Sequence, residues 1–322
     1  MKAETHLASR QWGRDLGQDL RKSYAWCEKV ARTQAKNFYY SFLLLPSEKR
    51  RAMCAIYAFM RYCDDLSDDE GIPDRAAAIA QWRQDLTAAL SGEKAEAPGH
   101  PVWPAFVDTV KRFHIPHRYF FDMIEGVSSD LEPRRIRTFD ELYDYCYHVA
   151  SVVGLTIVHI FGFRPGVDVR DALELAEKCG IAFQITNILR DVREDAEKQR
   201  VYLPAEDLER FQVSAETFEP ADRFQELMAF EAGRARDYFR QSAPLVRMVD
   251  GRSQASLKAL IAIYSRLLDR IVESNYDVLA RRIRVSTAEK IWLLVRSAGK
   301  GAVFLSLLGI VLLAMLLWRR AF

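Results

Sequence analysis

The side chains best suited to chemistry in this sequence are acids that emerge from apolar helices. In AMCAIYAFMRYCDDLSDDE, Ala52 to Glu70, a run that is apolar or aromatic on every side leads into five acids within seven positions. A helix hydrophobic all round belongs inside a protein. Its C-terminal end therefore delivers Asp64, Asp65, Asp68 and Asp69 to the rim of a buried space. Asp64 and Asp68 share a face at i,i+4, where like charges destabilise a helix by roughly 0.2–0.5 kcal/mol. The negative end of the helix dipole adds to that cost, so something cationic should offset it. In GIAFQITNILRDVREDAEKQR, Gly180 to Arg200, Ile181, Ile185, Ile188 and Val192 form a packing stripe. Another face of the same helix carries Gln184, Asn187, Asp191 and Asp195. A polar line through an otherwise apolar helix needs partners, because unpaired buried carboxylates are expensive.

A single DxxxD pair is common on helix surfaces, and Arg61, Arg190 or Arg193 could balance either stripe there. Two such pairs, each leaving an apolar helix and one extended by Asn187, favour a shared ligand. Oxygen-only donors suit a hard cation. Mg²⁺, or Mn²⁺ in its place, keeps several waters and binds through one or two carboxylates plus substrate phosphates. Facing carboxylate helices thus suggest a diphosphate substrate.

The elements that must position these acids are helical throughout. The spacing of apolar residues and breakers predicts helices near 23–37, 47–64, 74–91, 102–113, 116–128, 139–161, 168–198, 222–246 and 253–282. Separators include Pro46, Gly71 with Pro73, Pro116, Pro133, Pro165 with Gly166, Pro204 and Pro220. Glycine, at 15 of 322 residues, lies below the usual share of about 7%, as a helix-rich chain allows. No linker separates two domains. The expectation is an all-α chain with a polar segment over 1–22, one helical domain over 23–297 and a hydrophobic anchor over 298–322. A formal charge of +2 without a basic stripe argues against nucleic acid as a partner. Five scattered cysteines, none in a CxxC pair, read as buried apolar groups in a reducing compartment. The uncharged stretch Gly301–Trp318 covers roughly 27 Å as a helix, close to a bilayer's hydrocarbon thickness of about 30 Å. Arg281, Arg282, Arg284, Lys290, Arg296 and Lys300 before it outnumber Arg319 and Arg320 after it, which predicts a membrane-anchored protein with its catalytic body in the cytoplasm. Membrane lipid is the expected partner of that tail.

At the same residues the chain resembles the squalene/phytoene synthase family of head-to-head prenyl synthases. CDDLSDD at Cys63–Asp69 and QITNILRDVREDAEKQRVYLP at Gln184–Pro204 resemble its two aspartate-rich motifs. AKNFYYSFLLLP at Ala35–Pro46 and YCYHVASVVG at Tyr145–Gly154 fit further blocks. The similarity spans about residues 23–285. It implies an isoprenoid-synthase-type helical bundle around a central cavity, with prenyl diphosphates as substrates. It also implies that Asp64 and Asp68 bind magnesium from one wall, and Asn187, Asp191 and Asp195 from the other. Lys36, Arg61, Arg190 and Arg200 would contact diphosphate oxygens, while Tyr57, Tyr264 and Arg281 match positions near the reaction centre. Asp64, Asp68, Asp191, Asp195, Tyr57 and Tyr264 are accordingly the expected catalytic set. Arg281 joins the diphosphate contacts. One departure is Gln34-Ala35, where the resemblance implies that a hydroxyl contact to the diphosphate is missing. The tail resembles the anchor of eukaryotic squalene synthases, whereas VYLP is closer to bacterial members.

The preferred expectation is condensation of two farnesyl diphosphates to presqualene diphosphate or squalene, with NADPH required only if the reductive step occurs here. The alternative is phytoene synthesis from two geranylgeranyl diphosphates. Phe38, Tyr39, Tyr57, Phe59, Phe183 and Tyr264 are aromatic candidates for stabilising a carbocation. A membrane-tethered, non-catalytic helical scaffold would keep the acidic stripes but has no need of Arg61, Lys36 or Arg200. A di-iron oxidase would need Glu-x-x-His pairs, and no histidine here has glutamate three residues before it.

Overall fold

Helix signals in this chain are translated almost directly into a bundle. The computed structural model describes residues 17–35, 38–69, 71–92, 99–132 and 134–298. Lys36 and the apolar tail fall outside them. The helices in chain order are α1 Gln18–Gln34, α2 Phe38–Phe42, α3 Ser47–Asp68, α4 Arg75–Ser91, α5 Trp103–Arg112, α6 Arg118–Ser129 and α7 Phe139–Cys146. After a π-turn at Tyr147–Ser151 follow α8 Val152–Phe161, α9 Val169–Glu197, α10 Ala205–Arg210, α11 Ala221–Ser242, α12 Leu245–Met248, α13 Gln254–Glu273 and α14 Thr287–Ala298. Oxygen-bearing side chains cap several of them: Asp74 accepts from the Ala77 amide, Thr138 from Glu141 and Asp168 from Arg170. Among the described residues no strand forms, and pairing is confined to two isolated bridges.

Two hydrophobic clusters flank the centre. One gathers α1 to α6, α8 and the early part of α9; the other gathers the later part of α9 with α7, α11 and the latter half of α13. Phe38, Phe183 and Ile261 pack against both. The all-apolar character of α3 has a direct cause. One face carries Phe59, which stacks on Phe106 at 4.3 Å and on Trp82 at 5.4 Å, while the opposite face turns inward. On α9 the stripe Ile181, Ile185, Ile188 and Val192 is buried in the second cluster, as its spacing predicts.

Close helix contact fixes α9 against the helical run before it. A Cβ built at Gly180 would lie 2.5 Å from the Ser151 Cα, and one at Gly154 would lie 2.9 Å from the Ala176 carbonyl oxygen. Backbone meets backbone at both points, so no side chain could move to relieve a larger residue. The continuous helix predicted over 139–161 is interrupted by the π-turn. Tyr145, Val149, Val153 and Ile157 all face the centre at steps of four, which drift about 40° each on a regular helix. The wider turn takes up part of that drift. The same stretch is the one helical segment among the described residues long and apolar enough to cross a membrane. Half of its most apolar window is buried within the fold, where it serves as a core wall.

The helix predicted over 253–282 stops at Glu273. Asn275 and Tyr276 take left-handed backbone angles (φ 54° and 58°), and the chain reverses over 274–286. Each such residue without glycine's freedom costs roughly 1–2 kcal/mol. The reversal carries Arg282 back to the centre. For the helix contact, Gly180→Ala is expected to lower stability by about 1–3 kcal/mol through overpacking. Thermal denaturation followed by circular dichroism checks this, and an unchanged midpoint would show that the two backbones can part freely.

Candidate active site

Two long helices face each other across a cavity of about 500 Å³. From α3 come Met53, Ile56, Tyr57, Met60, Arg61 and Asp64; from α9 come Ala176, Cys179, Gly180, Phe183, Gln184, Asn187 and Arg190. Both sets step by three and four, one turn after another. Met53 to Met60 and Ala176 to Phe183 are each seven steps apart, so the apolar part of the cavity runs roughly 10 Å along the two helices. Above it opens a polar chamber of about 240 Å³ that shares Arg61, Asp64, Val149, Gln184 and Asn187 with the cavity. Asp68, Asp130, Asp191, Asp195, Arg200, Tyr145 and Tyr202 complete its walls. The two acidic stripes thus meet over one greasy space.

Cations already hold some of the acids. Arg190 grips Asp191 with two hydrogen bonds, and Arg282 reaches the same carboxylate at 2.9 Å and Glu194 at 3.3 Å. Asp68 is 3.3 Å from both Lys198 and Arg200, while Arg61 pairs with Asp65. Asp64 and Asp195 are less well served. Burial pushes each up to about 7; Arg61 only partly counters this for Asp64, and Asp191 adds to it for Asp195. Burial also raises the phenols of Tyr57 and Tyr264 to about 12. Tyr264 lies face to face with Phe183, centroids 4.1 Å apart, and 5.6 Å from Phe38.

The structure brings Asp64, Asp68, Asn187, Asp191, Asp195, Arg61 and Arg200 to the chamber, and Arg190, Tyr57 and Tyr264 to the cavity beneath it. It does not bring Arg281 there. That side chain is 67% exposed and pairs with Asp277 at 3.3 Å, and its neighbour Arg282 points inward instead. One residue of phase in an irregular turn decides this, and no helical period exists there to set it. Of the aromatic candidates, Phe38, Tyr57, Phe183 and Tyr264 line the cavity, whereas Phe59 belongs to the outer face of α3 and Tyr39 packs on Phe42.

Asp130 is the acid that sequence reasoning missed. It caps α6 in a charged loop, where nothing in VSSDLEPRR separates it from a surface residue. Here Tyr145 donates to its Oδ2 at 3.0 Å and Tyr202 to its Oδ1 at 2.8 Å, while Arg200 donates to its carbonyl at 2.7 Å. Both tyrosines stood inside recognisable motifs, and that was the available signal.

Among the described residues no three acidic, histidine or cysteine side chains converge tightly enough to hold an ion by themselves. The donor set still fits a divalent cation of the magnesium type. Its members are all oxygens, they stand on two walls, and Asp64 and Asp195 are desolvated with too little positive charge nearby. Such an ion would take one or two carboxylates and complete its shell with water and phosphate oxygens.

Comparison with known proteins agrees with this geometry. The squalene/phytoene synthase family model matches residues 31–289. The 15-cis-phytoene synthase of Synechococcus elongatus is 36% identical over 288 residues, covering 84% of this chain and 91% of the relative. The phytoene synthase of Mycobacterium tuberculosis is 36% identical over 279 residues, covering 84% and 89%. Among solved structures, a dehydrosqualene synthase in complex with ligand superposes with a TM-score of 0.79 at 30% identity, covering 87% of this chain and 96% of that one. A squalene synthase from Alicyclobacillus acidocaldarius gives 0.73 at 27%, covering 81% and 97%. The chain belongs to the squalene/phytoene synthase family. It is therefore a prenyltransferase of the head-to-head condensing type, on the all-α isoprenoid synthase fold.

Asp64→Asn and Asp191→Asn are each expected to leave the helical circular dichroism spectrum intact while lowering turnover by about 10²–10³ or more, as loss of a charge-stabilising group does. A metal-dependent assay of diphosphate release reads this, and wild-type turnover in either variant would remove that acid from the mechanism.

Proposed function

We propose that this enzyme condenses two geranylgeranyl diphosphates into phytoene, with magnesium or manganese held between Asp64 and Asp68 on one wall and Asn187, Asp191 and Asp195 on the other. The apolar cavity between the two acidic walls takes the prenyl chains, and the named relatives carry the choice of their length. Relatives named as phytoene synthases support the same choice over the farnesyl expectation. That expectation drew on the tail, which lies outside the described residues.

Arg61, Arg190 and Arg200 are the planar forks placed to take diphosphate oxygens, and Arg282 is added to them in place of Arg281. Lys36 retains its proposed role by resemblance alone. The divalent ion, when bound, neutralises charge growing on the departing diphosphate. The chain's own residues do the rest. Asp64 and Asp191 fix the chamber on opposite sides, the arginines orient the leaving group, and the cavity walls below exclude water from the allylic cation. The rings of Phe38, Tyr57, Phe183 and Tyr264 face that space, where aromatic faces stabilise positive charge without being consumed. Phytoene requires no reductant, so this reading includes no NADPH step. The tail Gly301–Trp318 is proposed as the membrane anchor, leaving the catalytic body on the cytoplasmic side.

With labelled substrates and Mg²⁺, geranylgeranyl diphosphate is expected to give phytoene with or without NADPH, and farnesyl diphosphate to be turned over more slowly. NADPH-dependent squalene as the main product would reverse the assignment. Ile157, half-buried at the deep end, offers a sharper test. Ile157→Trp is expected to cut the geranylgeranyl-to-farnesyl ratio of kcat/KM by about 10-fold or more, the scale on which apolar pockets discriminate.

A further inference from the structure

The outer face of α14 is the least explained surface of the fold. Trp292 is 57% exposed, and among the described residues only Val169 joins it as an exposed large hydrophobic side chain. Ala288 and Arg296 lie one turn to either side of it, both exposed, and the Arg296 guanidinium sits over the indole at 5.3 Å. The orientation of this face is fixed. Ser286 and Glu289 form a reciprocal capping box, the Ser286 hydroxyl accepting from the Glu289 amide at 3.2 Å and the Glu289 carboxylate from the Ser286 amide at 3.1 Å. Arg266 and Arg270 on α13 then clamp Glu289 at 2.9 and 2.8 Å. Leu293 and Leu294 are buried on the other side. Trp292 therefore cannot turn inward without breaking α14 from the body.

We propose that the Ala288–Trp292–Arg296 face of α14 docks on the headgroup region of an anionic phospholipid bilayer. The proposal rests on the reading of Gly301–Trp318 as an anchor, and chain length supplies its main argument. Only three steps separate Ala298 from Gly301, so the end of α14 lies within about 10 Å of wherever the apolar segment enters lipid. Charge agrees: no acidic residue follows Glu289 anywhere in the chain, while Lys290, Arg296 and Lys300 do. An indole beside basic side chains is the composition favoured at the membrane interface. A second copy of this face would bring arginine against arginine. Docking also has a consequence for the site, because α14 packs on α2 and α13. Those helices supply Phe38, Phe42, Leu257 and Tyr264 to the cavity wall, which would face the phase where a hydrocarbon product dissolves.

The test uses the full chain. All five native cysteines are buried, so an Ala288→Cys variant takes a polarity-sensitive dye at one place. A Gln84→Cys variant on exposed α4 serves as the control. On vesicles of phosphatidylglycerol and phosphatidylcholine carrying a nitroxide lipid, the dye at 288 is expected to be quenched about twofold or more and the dye at 84 to be unaffected. Trp292→Glu in the Ala288→Cys background should abolish most of that quenching while the protein still floats with the vesicles. If wild-type α14 remains unquenched on chains that do float, the anchor stands and the docking proposal falls. Failure to float at all sinks both. A dye already shielded without lipid would show that the face is covered by the protein itself, which also overturns the proposal.

Discussion

Holding several carboxylates where water is scarce is the constraint on which this structure turns. A desolvated acid either finds a cation or keeps its proton, and the chamber contains both outcomes. Asp191 is held by Arg190 and Arg282, and Asp68 by Lys198 and Arg200, whereas burial drives Asp64 and Asp195 toward neutrality. The unmet demand for positive charge sits at one acid on each wall. A divalent cation held by these acids would supply it, while Arg190, Arg200 and Arg61 already pair with Asp191, Asp68 and Asp65. Such a site is costly in an empty protein and favourable in a loaded one, which is the sense in which binding energy can be directed at charge that develops during reaction.

That arrangement survives only if the walls cannot drift apart or collapse. The two hydrophobic clusters press on the cavity from either side, with Phe38, Phe183 and Ile261 common to both. Along α9 the polar line and the packing stripe lie on different faces, so the burial that anchors Ile181 to Val192 also aims Asn187 and Asp191. The missing side chains at Gly180 and Gly154 let the neighbouring backbone come close enough for Ala150 and Val153 to form part of the same wall. Asp130 ties the third side down: two tyrosines and Arg200 converge on it, joining α6 to the end of α9.

Much of this was legible in the order of residues, for reasons that also mark the limits of reading it. The acids on α3 and α9 could be found because regular helices convert spacing into direction. The all-apolar run before Asp64 signalled burial on every side, though it could not say which face met the cavity, and so Phe59 stood beside Tyr57 as an equal candidate. Arg281 and Arg282 differ by one position in a reversal built on Asn275 and Tyr276, where no helical period exists to set the phase. Asp130 was invisible because its partners come from Tyr145 and Tyr202, distant along the chain. The π-turn at Tyr147–Ser151 was hidden by helix-forming composition and betrayed only by steps of four on the cavity wall. The depth of the cavity is a property of two helices facing each other, and a single stretch of sequence does not contain it.

Depth also decides how discrimination must operate. Below the chamber the walls offer few polar handles, so nothing there can recognise a prenyl tail except its length and bulk. Each buried CH₂ is worth about 0.8 kcal/mol, and a chain that stops short loses that much for every position left empty. Such a loss weakens substrate and transition state together and falls mainly on KM. A chain too long for the floor behaves differently. Its diphosphate is lifted away from Asp64, Asp191 and the arginines, and because the groups that ionise the allylic bond act only at close range, the loss falls on kcat. Under the proposed reading a short tail would be tolerated at high concentration and a long one refused, so discrimination between chain lengths would act at the floor of the cavity rather than in the charged chamber.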